Sequence, residues 1–298
     1  MNAMTRRRFL SITGATAFAQ LAPCGARAAS WSGRAFGAEA QITVTGSDAG
    51  CAAEAVDRSL DALRAAEAAF SLHDPRSELS RLNARGTLCP SALFAELLNA
   101  VDRAVELTGG IFDPSVQALW PGAGELESSL STWNGIRRDD TRVALAQGQL
   151  LTFNGIAQGF ASDRVSAALR DAGYDRTLVD MGEIRAQGGP WHVGLADPAA
   201  GLYGTRTLNG GALATSSPGL LKIGPGRTHI LNPRDPDAAP YWSSVTVEAE
   251  TATLADALST AACHMPADRI AALFPAEPSL RAVTLVDPSG EIRTLRPA

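Results

Sequence analysis

Near the C-terminal end of the 298-residue chain, "TLADALSTAACHMP" carries one carboxylate, Asp256, and a hydroxyl, Thr260, four residues on. Helical positions i and i+4 share a face, so the two oxygens form a pair on an otherwise apolar surface. Two chemistries fit. An Asp near a helix start satisfies free N–H groups and suits the dipole. A carboxylate beside other oxygens is also what Mg²⁺ selects. Three more stretches could serve such a site. "TGGIFDPS" places Asp113 after two glycines and before Pro114, and "THILNPR" sets His229 in a turn. "NGIAQGFASDR" sits at a strand-to-helix junction, where backbone N–H groups can meet a phosphate. Taken singly, glycine turns are commonly only turns and a lone histidine is commonly structural.

Composition narrows the alternatives. The chain lacks G-x-x-x-x-G-K-[ST] and Lys222 is its only lysine, which argues against a P-loop and against lysine Schiff-base chemistry. His73, His192, His229 and His264 are scattered, without the clustered Cys and His of structural zinc. No G-x-S-x-G supports a serine nucleophile. Hydrophobic residues make up 45%, as in a packed globular chain.

The first 28 residues read differently from the rest. Thr5-Arg6-Arg7-Arg8-Phe9-Leu10 opens a basic, then apolar, then small-residue run that resembles a twin-arginine export signal. Ala26-Arg27-Ala28 offers an A-x-A cleavage site, leaving a domain over 29–298 in the periplasm. Cys24 in "LAPC" faintly resembles a lipidation box, with Pro23 unfavourable before it. Residues 1–28 hold four arginines and no acids, so 22 basic residues then face 31 acidic ones, a net charge of −9. Such a surface argues against nucleic acid or an anionic membrane as partner. Cys51, Cys89 and Cys263 remain, without C-x-x-C, and are expected as buried free thiols.

The elements that must hold the oxygen-rich turns follow from periodicity. "AQITVTG" alternates as a strand. Ala53, Val56, Leu60, Leu63, Ala66 and Phe70 make one face of a helix, and Leu93, Leu97, Val101 and Val105 the face of another, stopped by Gly109 and Gly110. "QLLTFNGIAQGFASDRVSAALRDAGYD" reads as strand, glycine turn and helix. Strand patterns in "TLVDMGEIRAQGG", "WHVGLAD", "SSVTVEA", "RAVTLVD" and "EIRTL" surround the short helix of Asp256. Strands outnumber helices without alternating with them, which predicts an α+β fold of largely antiparallel sheets flanked by helices, in one domain.

Taken in order, these segments resemble the ApbE family, the FAD:protein FMN transferases. "FSLHDPRSELSRLN" looks like that family's aromatic-S-x-x-x-x-x-S-x-L-x-R-x-N segment, and "TGGIFDPSVQALW" is similar to its T-G-G-x-F-D-x-[ST]-V stretch. "NGIAQGFASDRV" matches G-[IV]-A-x-G-[YF]-A-x-D, and "VDMGEIRAQG", "ATSSPG", "HILNP" and "SVTVEAETATLADALSTA" follow in the family order. The resemblance implies an enzyme that splits FAD with the help of Mg²⁺, or Mn²⁺ in its place. It attaches FMN through its phosphate to a Ser or Thr of a partner and releases AMP. The implied metal contacts are Asp256, Ser259, Thr260 and the carbonyl of Gly155. Implied flavin contacts are Phe36, His73, Ile111, Phe112, Asp113, Thr152, Gln158 and Leu231, with His229 taking the acceptor's proton. The implied partner is a membrane-bound or periplasmic redox protein with a Ser/Thr acceptor motif.

Some positions depart from the family pattern. His73 replaces a usual tyrosine, Phe36 a methionine and Gln158 a Lys or Glu; Asn232 replaces an aspartate, and no T-G follows Pro233. These features resemble the branch associated with nitrous oxide reductase maturation. They keep two alternatives in view: an FAD-binding protein that presents flavin without transferring it, and slow FAD pyrophosphate hydrolysis.

Overall fold

The computed structural model describes residues 27–46, 48–121, 132–139, 141–198 and 201–298. The expected leader lies outside these residues except for Arg27 and Ala28, which open β1 (Arg27–Ala35). β1 turns into β2 (Ala38–Thr45) through Phe36-Gly37, whose φ angles of 49° and 85° give the twist that a two-residue hairpin needs. Glu67 pins this turn by accepting the Phe36 N–H at 2.8 Å.

The helical part follows with α1 (Ala49–Phe70), α2 (Glu78–Arg85), β3 (Thr87–Leu88) and α3 (Ala92–Thr108). β4 (Arg137–Arg138) and β5 (Val143–Ala144) join β3 in a small sheet ordered β3-β5-β4. Then come α4 (Ala157–Asp171), β6 (Thr177–Asp180) and β7 (Ile184–Gln187). A hairpin, β8 (Trp191–Asp197) and β9 (Gly201–Leu208), precedes β10 (Gly211–Ser216) and a second small hairpin, β11 (Lys222–Gly224) and β12 (Arg227–Thr228). The chain closes with β13 (Ser244–Ala249), α5 (Ala252–Ala262), α6 (Ala267–Ala271), α7 (Leu273–Ala276), β14 (Leu280–Val286) and β15 (Ile292–Leu295).

The main sheet runs β1-β2-β6-β7-β10-β13-β14-β15, every neighbouring pair antiparallel. With helices against it, this is the expected α+β architecture. Strand alternation sorts its two faces. β10 turns Ala212 and Ala214 into the helical core and Leu213 to the opposite side, where Ile184, Trp191 and Leu195 join it beneath the β8–β9 hairpin. α5 packs on β10 and β13 through small side chains, with Ala252, Ala255, Ala261 and Ala262 in the same buried cluster as Ala212, Ala214, Val245 and Val247. α3 and α4 contact α5, and α1 contacts α4. Phe70, Phe94, Phe153 and Phe160 tie these helices together at ring-centroid distances of 5.6 to 5.9 Å. Each such ring pair adds about 0.5–1.5 kcal/mol beyond area burial.

Three expectations are corrected. The strand read in "QLLTF" forms no ladder, because a side chain takes the neighbouring strand's place. Asn83 donates to the Leu151 carbonyl and accepts the Leu151 N–H, both at 2.8 Å, while the Thr152 N–H reaches the Pro114 carbonyl at 2.9 Å. These bonds satisfy an extended backbone without a sheet. Among the thiols of the described residues, only Cys263 is buried; Cys51 and Cys89 are exposed. Ala52, Ala55 and Val56 fix the inward face of α1, which turns Cys51 outward and leaves Ala53, expected on that face, exposed.

Candidate active site

Contacts between α4 and α5 build the site as three rungs in antiparallel order. On α4, the Asp163 carboxylate accepts the Ala252 N–H at 3.0 Å and the Thr253 N–H at 2.8 Å. Four residues earlier on α4 and four later on α5, Gly159 N–H donates to Asp256 Oδ2 at 3.0 Å. After the same step again, Gly155 faces Thr260, so closely that a Cβ at Gly155 would stand 2.8 Å from Thr260 Oγ1. Each step is about one helical turn. The crossing depends on glycine, since a Cβ at Gly159 would meet the Ala252 carbonyl oxygen at 2.2 Å.

Asp256 is therefore not the cap of its helix. Thr251 is the N-cap, accepting the Leu254 N–H at 3.3 Å, and Asp163 takes the two N–H groups before it. Asp256 sits one turn further in and is 2% exposed. Burial pushes its carboxyl up to about 7, partly offset by the Gly159 N–H. Glu183, also buried, is raised well above the usual carboxylate range by burial first, then by Asp256 and Asp180; its Oε2 has no hydrogen-bond partner among the described residues.

Asp256, Thr260 and Gly155 open onto one cavity. Ile111, Phe112, Asp113, Thr152, Gln158, His229 and Leu231 line the same cavity, so ten of the thirteen residues singled out from the sequence converge there. They come from the loop after α3, the turn before α4 and the first turn of α4 itself, the segment after β12, and α5. Gln158 donates to the Met181 carbonyl at 3.0 Å and ties α4 to the β6–β7 turn. The Asp113 carboxylate is occupied by its own loop, accepting Ser115 N–H at 2.8 Å, Ser115 Oγ at 2.6 Å and Trp133 N–H at 2.9 Å. It shapes the turn. Its carboxyl is held above the usual range by burial, and these hydrogen bonds work against the rise.

Three singled-out residues do not line the cavity. Phe36 belongs to the β1–β2 turn and packs against the main core. His73 is exposed in the loop after α1. Ser259 is fully buried behind the site, donating to the Asp256 carbonyl at 3.0 Å and lying 2.8 Å from Ser216 Oγ. The cavity also has a wall that the sequence reading passed over, made by Glu183, Thr215, Ser216 and Ser217. Its signal was in "VDMGEIRAQG", where the glycine drew attention and the acid did not, and in "ATSSPG", a hydroxyl-rich turn to which no site residue was assigned.

His229 is lowered from the usual histidine value by burial, with the Leu221 and Pro218 carbonyls opposing. Its Nδ1 has no hydrogen-bond partner among the described residues. It thus stays neutral near pH 7 and can accept a proton. Among the described residues no three His, Cys, Asp or Glu side chains cluster as a metal site. A cation here must draw on one carboxylate plus hydroxyl and carbonyl oxygens. That donor set fits a hard ion such as Mg²⁺, and the approach that a Cβ at Gly155 would fill leaves its backbone beside the Thr260 hydroxyl.

The sequence model of the ApbE family matches residues 36–284. The chain belongs to the ApbE family. The solved ApbE protein of Thermotoga maritima is 27% identical, with a TM-score of 0.79 over 90% of this chain and 96% of that one. The flavin transferase ApbE of Vibrio cholerae is 20% identical, with a TM-score of 0.76 over 91% of this chain and 97% of that one. The apo flavinyl transferase ApbE of Pseudomonas stutzeri is 22% identical, with a TM-score of 0.76 over 90% and 94%. The last two likenesses establish the ApbE fold. No curated protein matches the chain.

Proposed function

We propose that this ApbE-family protein is an exported, Mg²⁺-dependent FAD:protein FMN transferase. Supporting this reading is the convergence of Asp256, Thr260, Gly155 and His229 on one cavity from segments up to 105 positions apart. Membership of the family and the flavin transferases among its structural neighbours point the same way. The substrate is FAD, and the acceptor is a Ser or Thr of a periplasmic or membrane redox protein. The export run lies outside the described residues and rests on its sequence alone.

In this reading the acceptor oxygen attacks the phosphorus of the FMN half. One O–P bond forms, the pyrophosphate bridge breaks, and AMP leaves with the bridging oxygen. His229, neutral at physiological pH, takes the proton from the hydroxyl as it attacks. Asp256 Oδ1, Thr260 Oγ1 and the Gly155 carbonyl would hold Mg²⁺ or Mn²⁺, while Asp256 Oδ2 keeps the Gly159 N–H. The bound ion supplies neutralisation of charge on the pyrophosphate oxygens. Ile111, Phe112 and Leu231 provide apolar surface for the flavin.

The test is intact-mass spectrometry of an acceptor domain carrying a Thr-containing flavinylation motif, incubated with the protein, FAD and Mg²⁺. A gain of one FMN less water, lost with EDTA, is the expected result. The departures from the family pattern at Phe36 and His73, and the missing T-G after Pro233, favour a second reading, flavin binding without transfer. Retained FAD with no AMP and no mass gain would establish that instead.

A further inference from the structure

The reading of Asp256, Thr260 and Gly155 as a cation site leaves open what sets their separation. Neither α4 nor α5 carries the whole set, so their relative height along the crossing decides whether the oxygens meet. A slip by one turn would displace them by about 5.4 Å. Two of the three rungs hold that register by hydrogen bonds. One is Gly159 to Asp256 itself. The other is Asp163, two turns from Gly155 on the α4 side.

Asp163 grips the start of α5 at three points. Its Oδ1 accepts the Ala252 N–H at 3.0 Å, and its Oδ2 accepts the Thr253 N–H at 2.8 Å and the Thr253 hydroxyl at 2.6 Å. A helix's first N–H groups have no partner within the helix, so an acceptor there fixes both axial position and rotation. Arg185 on β7 braces the carboxylate through Nε at 3.2 Å and, with its Nη1, donates to the Glu250 carbonyl just before α5 at 2.7 Å. Asp163 does not line the cavity. It reaches the site through the helix it holds, and its charge also acts on Asp256, raising that carboxyl. Asp163→Asn and Asp163→Ala both remove the charge, so the difference between them reports on the hydrogen bonds to α5.

We propose that Asp163 is a positioning residue for the cation site: by capping α5 from α4, it sets the register at which Asp256 and Thr260 face Gly155. The proposal rests on the cation reading, and its test separates the two. The full chain is titrated with Mg²⁺ alone by calorimetry, as wild type, Asp163→Asn and Asp163→Ala. Loss of a residue that orients a ligand typically weakens metal binding about 10–100-fold, and Asp163→Ala is expected in that range. Asp163→Asn keeps an acceptor oxygen for one N–H and should fall between. In FAD cleavage, the Mg²⁺ needed for half-maximal rate should rise in step, while the rate at saturating Mg²⁺ stays within about twofold of wild type.

A folded Asp163→Ala with wild-type Mg²⁺ affinity and only a lower melting temperature would overturn the positioning role. Should that variant not fold, wild-type affinity in Asp163→Asn would do the same. Wild type that takes up no Mg²⁺ would instead overturn the cation reading, and this proposal with it.

Discussion

Asp256 reaches across a helix crossing to accept the Gly159 N–H at 3.0 Å, so a residue expected to bind a cation also fastens α5 to α4. The two jobs use different atoms and separate by substitution. Asp256→Asn keeps a carbonyl oxygen for Gly159 and removes the charge. It should stay folded, with a melting temperature near wild type, and lose Mg²⁺ uptake in calorimetry. Asp256→Ala leaves a buried N–H without a partner and should cost about 1–3 kcal/mol by urea denaturation.

The two glycines of the crossing should respond differently to a methyl group. At Gly159 a Cβ would overlap the Ala252 carbonyl, 2.2 Å away, in a place where backbone must move. Gly159→Ala is expected to destabilise by about 1–3 kcal/mol and to abolish Mg²⁺ uptake as the helices separate. At Gly155 the obstacle is the Thr260 side chain, at 2.8 Å, which can rotate. Gly155→Ala should weaken Mg²⁺ binding with a smaller loss of stability, read in the same two measurements.

Asn83 is the sequence-distant support of the turn before α4. Its amide pairs both backbone groups of Leu151, next to Thr152. Asn83→Ala should cost about 2 kcal/mol, since both groups lose their partner. FAD affinity should fall as well, measured by equilibrium binding. A variant with unchanged affinity would show that the loop holds its shape through Phe153 packing alone.

Acidity acts through groups of opposite sign. Asp180 is raised to about 6 by burial, so its share of stability is full below its usual value near 3.8 and is lost as pH rises through 6. His229 and His264 are lowered by burial, so theirs is present above 6.5 and lost as pH falls through their folded values. Thermal melts of wild type and Asp180→Asn between about pH 5 and 8 should show the variant gaining on wild type as pH rises. Parallel curves would remove Asp180 from the account. With His229 as base, transfer should hold its plateau from neutral pH down past 6.5 before falling on the acid side.

How much of this could be read from the chain differs by element. Helices with clean periodicity, such as α1 and α3, were legible because their apolar stripes have to face a core. β1 was not, since "RAASWSGRA" shows no alternation and owes its strand form to pairing with β2. The extended segment at 150–153 mimicked a strand because its hydrogen bonds go to Asn83 and Pro114, which local pattern cannot reveal. At the site, the Asp256–Thr260 pair was visible as an i, i+4 spacing. Gly155 was named through the family resemblance, and Gly159 gained its meaning only from the fold. Glu183 stayed hidden because a buried acid looks, in sequence, like any surface glutamate.

The helix that carries Asp256 meets the sheet mostly through alanines, with Val245 and Val247, stiff at χ1, as the larger members of the seam. Alanine has no χ torsion, so this seam contains almost no rotamers that could rearrange to absorb a disturbance. Elsewhere in a core, a misfit is shared among side chains that hop between wells. Here strain passes undamped into backbone displacement, and the oxygens of α5 move with it. The mount is stiff for the same reason that it is intolerant: an enlarging substitution along the seam acts at the cavity, several residues away, without touching anything that lines it.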